Sequence, residues 1–157
     1  MDTLSASVLR DRKPQIGIVL GSGLGALAER IEGAEALPYS DIPGFPVSTA
    51  PEHKGRFVFG TIGDKEVVLM DGRVHLYEGY TPQQVVMPIR LMRQMGIHTV
   101  LLTNASGGIR RDLHAGDLML LTDHISSLVP SPLRGENDPS LGVRFPDMRH
   151  VLSLIHI

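Results

Sequence analysis

A chain of 157 residues, 42% hydrophobic and 20% charged, is long enough for one domain with a buried core. Its formal net charge of −2 argues against nucleic acid as the main partner. The absence of cysteine excludes disulfides, thiolate metal sites and cysteine nucleophiles, and no apolar run approaches the length of a membrane span.

The opening "MDTLSASVLRDRKPQ" has no apolar core of a secretory signal, so a cytoplasmic protein is expected. Ile16 to Leu20 reads as a short buried strand. The glycine turn "GSGLG" follows, and Leu24, Leu27, Ala28 and Ile31 then fall at helical spacing. Residues 38 to 52 hold four prolines and few regular signals, as a functional loop does. "GRFVFGTIGDKEVVLMDG" predicts a hairpin turning at Gly63-Asp64. Thr81-Pro82-Gln83-Gln84 is a helix start: an N-cap, proline at the first position and a capping box closed by Gln84. That helix is expected to reach about Met95 and stop at Gly96, with Pro88 inside it. "HTVLLTNASGG" predicts a strand feeding a second glycine turn, and "DLMLLTDHI" another strand. From Ser126 to Asp147 the chain is polar and turn-rich. The alternation of strands and helices argues for an α/β fold with antiparallel pieces added by the hairpin.

The first glycine loop matches Gly-x-Gly-x-x-Ala, a relaxed dinucleotide fingerprint. Asp41 stands near the distance at which that fingerprint wants an acid, but Ile42-Pro43-Gly44-Phe45-Pro46 cannot continue the unit as a helix. No Gly-Lys-Ser/Thr ends the loop, so it is not a Walker motif. What remains is a simple tight turn, or a loop whose backbone N–H groups and Ser22 hydroxyl face a small anion. In "GRVHLYEGY", an extended backbone would put Arg73, His75 and Tyr77 on one face. A cation, an imidazole and a phenol so placed suit an oxyanion beside a sugar; the alternative is a solvated strand edge. His53 lies in the proline-rich loop and alone says little. The turn near Ala105 ends a strand, where ligands of α/β sheets bind. His53, His75, His98, His114 and His124 lack short-range ligand spacing, so no metal is expected.

Together these motifs resemble the trimeric purine nucleoside phosphorylases of the inosine–guanosine type. The resemblance rests on "LGSGLG", "GFPVSTAPEHKGRFVFG", "GRVHLYEGY", "TNASGG", "GDLMLLTDHI" and "GVRFPDM", in that order from about Pro14 to Met148. It implies an α/β fold with a mixed central sheet flanked by helices. It also implies phosphorolysis of purine ribonucleosides and deoxyribonucleosides to free base and pentose 1-phosphate. By the same resemblance Ser22, His53, Arg73, His75 and the backbone N–H of Ala105 would bind phosphate, and Tyr77 would contact the sugar. His75 and Tyr77 would be the catalytic pair, and Phe145 would reach a neighbouring subunit of a homotrimer. No cofactor beyond the co-substrate phosphate is implied, and no nucleic acid or membrane partner. Methylthioadenosine phosphorylases share the architecture but fit "GRVHLYEGY" and "TNASGG" less well. A non-catalytic phosphate-binding fragment is the rival of another class, and an NAD-binding domain is disfavoured by the prolines after Ser40.

The family's chains are much longer, and its purine-contacting residues map to no position here. Residues 1–148 are therefore expected to be the N-terminal part of a single domain, with the C-terminal part of the fold missing. Residues 149–157, "RHVLSLIHI", are read as a tail that does not match the family. Such a chain is expected to be inactive by itself, and its unpaired sheet edges to favour aggregation.

Overall fold

In a computed structural model, residues 12–49, 54–148 and 152 are described. The chain divides into two compact units, residues 1–106 and 107–157. The expectation of one continuous domain over residues 1–148 thus spans both.

The first unit is a five-stranded mixed sheet. Its strands are β1 (Ile16–Leu20), β2 (Glu32–Pro38), β3 (Arg56–Ile62), β4 (Lys65–Asp71) and β5 (Thr99–Leu102), in the spatial order β2-β3-β4-β1-β5. The hairpin forms as the sequence predicts: β3 and β4 run antiparallel from Ile62 opposite Lys65 to Arg56 opposite Asp71. β1 is parallel to β4 on one side and to β5 on the other, with Leu20 beside Asp71 and Val19 beside Leu102. The carboxyl ends of β4, β1 and β5 therefore lie side by side.

Period-two alternation in the strands builds a core on each face. Val19, Phe57, Phe59, Val68 and Met70 point to one face and pack with Tyr39, Phe45, Leu91, Met92 and Ile97. Ile18, Leu20, Val58, Val67 and Leu69 point to the other, against Ala28 and Ile31. The first face is covered by helix α1 (Pro82–Gln94), which begins as predicted. The Thr81 hydroxyl accepts from the Gln84 N–H, and the Gln84 side chain reaches back to the Thr81 N–H. Pro88, inside the helix, is buried in the packing.

Four local expectations are corrected; one is the second glycine turn, since residues 103–109 after β5 form no turn. The segment after the first glycine loop is a short 3-10 turn, Gly25–Glu29, and not an α-helix. The chain is needed immediately afterwards as β2, an edge strand whose exposed residues carry no apolar alternation. Arg73 to Tyr77 are not extended throughout, because Leu76–Glu78 is a 3-10 turn. Finally, residues 117–125 form no strand. A strand needs a neighbour for its backbone groups, and no strand is formed among the described residues of the second unit.

Among its described residues that second unit holds one 3-10 turn, Pro139–Leu141, and local contacts such as Asp138 accepting from the Ser140 N–H at 2.9 Å. Ile109, Leu118, Ile125 and Leu128 are exposed there, while Leu113 is half-buried.

Candidate functional site

Three loops leave the adjacent carboxyl ends of β1, β4 and β5, the place where α/β sheets bind ligands. The first carries Ser22. It is a tight turn closed by the Leu24 N–H on the Gly21 carbonyl at 3.1 Å, with Gly23 at φ 83°. Gly21 is buried and Ser22 exposed. A Cβ on Gly21 would lie 2.6 Å from the Thr103 oxygen and 2.7 Å from the Asn104 Cα. Only glycine allows the first loop to sit so close to the third.

The second loop carries Arg73 and His75. Arg73 is half-buried; its Nη1 donates to the Thr103 carbonyl at 2.9 Å, and its Nε lies 3.3 Å from the His75 Nε2. The backbone just before it is held from below. The Tyr39 hydroxyl, fully buried, donates to the Gly72 carbonyl at 2.7 Å. Burial and the nearby Asp71 carboxylate push the Tyr39 phenol well above its ordinary pKa, so it stays a donor. Asp71 is itself buried and accepts from the Arg56 Nε at 2.9 Å.

His75 is fixed by Glu78, a residue the sequence reading passed over. Glu78 Oε1 accepts from the His75 N–H at 2.8 Å and lies 2.9 Å from the His75 Nδ1. Its Oε2 accepts from the Thr49 N–H at 2.6 Å, the Thr49 hydroxyl at 2.8 Å and the Ser48 hydroxyl at 3.1 Å. The Glu78 side chain is only 2% exposed. Burial pushes its carboxyl up, but the hydrogen bonds from Thr49 and His75 outweigh this and bring it down to about 2. Glu78 is thus an anion that ties the proline-rich loop to the His75 turn. With Nδ1–H directed at this carboxylate, the neutral ring presents Nε2 as the acceptor towards Arg73. The signal available in the sequence was a glutamate three residues after His75, the capping-box spacing, followed by Gly79, which closes the turn at φ 90°.

Tyr77 does not reach inward. It is 77% exposed, and its ring stacks on the His75 ring with centroids 4.6 Å apart. Ala105 is exposed in the third loop, which follows β5. Arg73 and His75 are therefore in contact, with Tyr77 stacked on the latter, while Ser22 and Ala105 stand on the loops that follow β1 and β5 at the same sheet end. His53 lies outside the described residues. Phe145 belongs to the second unit and is 87% exposed.

The arrangement brings the Arg73 guanidinium and the His75 imidazole to one sheet end with the backbone N–H groups of two loops, a setting for a small oxyanion to which the imidazole donates when its ring carries both protons. Among the described residues, no group of histidines and acids could hold a metal ion, and no helix is long and apolar enough to cross a membrane.

Residues 15–153 match the family model of the phosphorylase superfamily. The chain is 51% identical over 140 residues to purine nucleoside phosphorylase 1 of Geobacillus stearothermophilus, covering 89% of this chain and 51% of that protein. It is 44% identical over 143 residues to the purine nucleoside phosphorylase of Bos taurus, covering 88% and 49%. A solved purine nucleoside phosphorylase in complex with ribose-1-phosphate superposes with a TM-score of 0.83 at 39% identity, covering 93% of this chain and 56% of that one. The Schistosoma mansoni enzyme in complex with inosine gives 0.81 at 38% identity, covering 92% and 52%. The chain spans about half the length of the curated relatives it matches.

Proposed function

The chain belongs to the phosphorylase superfamily, and from that premise we propose that it supplies the phosphate-binding part of a purine nucleoside phosphorylase. The observation that carries this reading is the Arg73–His75–Glu78 contact at the carboxyl end of β4, at the same sheet end as the Ser22 and Ala105 loops. The names of the relatives, and the ribose-1-phosphate and inosine of the solved neighbours, support the choice of substrate.

In the reaction, an oxygen of inorganic phosphate attacks the anomeric carbon of a purine nucleoside. The glycosidic C–N bond breaks, its electron pair leaves with the base, and the base takes up a proton. Free base and pentose 1-phosphate result. Arg73 holds the phosphate charge. His75, with Nδ1 anchored by Glu78, presents Nε2 to a phosphate oxygen and donates to it when the ring carries both protons. Ser22 and the Ala105 N–H complete the cradle, with His53 at its mouth. Fixed donors stabilise the charge as it shifts without reorganising, and a phosphate held under the sugar removes much of the entropic barrier. Tyr77 lines the sugar side. Phe145, exposed in its own unit, serves the neighbouring subunit of a homotrimer. Phosphate is a co-substrate and no other cofactor takes part. We place the protein in the cytoplasm, acting on nucleosides of purine salvage.

The chain by itself is expected to bind phosphate and not to turn over, because no residue for holding the purine is assigned in it. Calorimetric titration of phosphate into the folded chain tests the site: binding should be lost in Arg73→Ala. A folded parent chain that binds no phosphate would sink the reading. Phosphate-dependent release of hypoxanthine from inosine by the chain alone would overturn the claim of inactivity while supporting the function.

A further inference from the structure

One residue outside the anion-binding set touches all three loops of the site. The Thr103 hydroxyl accepts from the Gly21 N–H at 2.8 Å and donates to the Val19 carbonyl at 2.8 Å. Its backbone N–H donates to the same Val19 carbonyl at 3.1 Å, continuing the β1–β5 pairing past the strand end. Its own carbonyl accepts from Arg73 Nη1 at 2.9 Å. The Ser22 loop, the Arg73 loop and the Ala105 loop are thereby referred to a single residue at the end of β5.

We infer that Thr103 is a positioning residue for phosphate: its hydroxyl sets the distance between the Ser22 turn and the Ala105 loop, and its carbonyl orients the Arg73 guanidinium. The inference rests on reading the site as a phosphate site. The chemistry is specific to a hydroxyl, which donates and accepts at once. The Gly21 N–H takes the hydroxyl as its acceptor, and the hydroxyl proton is directed to the Val19 carbonyl, which also accepts from the Thr103 N–H. Valine has the shape of threonine and can fill neither role; serine can fill both.

The test uses the whole 157-residue chain as the parent, with Thr103→Val and Thr103→Ser, and titrates inorganic phosphate into each. Thr103→Val should bind phosphate about three- to tenfold more weakly, the effect of losing one or two net hydrogen bonds. Thr103→Ser should return to near the parent affinity, which a role in packing alone would not produce. Valine binding as tightly as the parent, or serine as weakly as valine, overturns the inference. A parent chain that binds no phosphate overturns the phosphate reading itself, before any variant is compared. Should Thr103→Val fail to fold, hydrogen exchange at the Gly21 amide decides. Slow exchange in both the parent and the serine variant supports the inference; exchange at the rate of an exposed loop amide overturns it.

Discussion

Replacing Glu78 by glutamine changes one carboxylate oxygen to an amide nitrogen and keeps the shape of the side chain. In the parent, one oxygen accepts from the His75 N–H and the other from the Thr49 N–H. Whichever way the amide is turned, its nitrogen faces one of these backbone donors, and that N–H is left without an acceptor at a cost of about 1–3 kcal/mol. The pKa leads to a similar figure. A carboxyl lowered from 4.5 to about 2 corresponds to at most about 3 kcal/mol of stability. Thr49 is exposed, and solvent screening at that rim reduces the share to about 1–2 kcal/mol. A loss of about 2 kcal/mol at neutral pH is therefore expected, read by urea denaturation of parent and variant. The sign with pH is also determined. The folded carboxyl titrates below the unfolded one, so its contribution is complete above about pH 4.5 and is lost as pH falls towards 2. The gap between parent and Glu78→Gln should narrow between pH 5 and pH 3, roughly in step with that titration. Equal stability at pH 7, or a gap that widens on acidification, would refute the assignment of Glu78 as a buried anionic anchor.

Tyr39→Phe removes the buried donor to the Gly72 carbonyl and should cost about 1–2 kcal/mol in urea denaturation. Gly21→Ala places a methyl group against the backbone of Thr103 and Asn104; the mutant should lose about 1–3 kcal/mol of stability and most of its phosphate binding, both measurable on one sample. Thr81→Ala removes the cap of α1 and should lower stability by about 1 kcal/mol, with phosphate affinity unchanged because the cap lies outside the anion site.

Local chemistry was legible where a single residue type forces the outcome. The Thr81–Gln84 cap, the turn at Gly63-Asp64 and the apolar run of β1 needed no tertiary information, and all three form as the sequence predicts. The glycine loop was legible as a turn, and the order of its companion motifs pointed to the family. Much else depended on neighbours. β2 has almost no apolar pattern of its own, and exists because β3 offers a free edge beside it. Residues 117–125 have the composition of a strand and form none, because a strand is defined by its pairing. Glu78 and Tyr39 drew no assignment from the sequence. The capping-box spacing to His75 is local, but Thr49 is 29 residues from Glu78 and Gly72 is 33 from Tyr39, and no local period carries such a distance.

The sequence by itself singled out candidates for meeting an anion, among them Ser22, Arg73, His75 and the Ala105 loop, since side-chain charge and the first glycine turn are properties of the residues themselves. Tertiary structure decided how they meet. The β4-β1-β5 order brings three loops to one sheet end, the 3-10 turn at Leu76–Glu78 turns Tyr77 outward, and Thr103 joins Gly21 to Arg73. These are contacts between segments far apart in the chain, fixed by strand register and the packing of two cores, and they appear only once the whole sheet has closed.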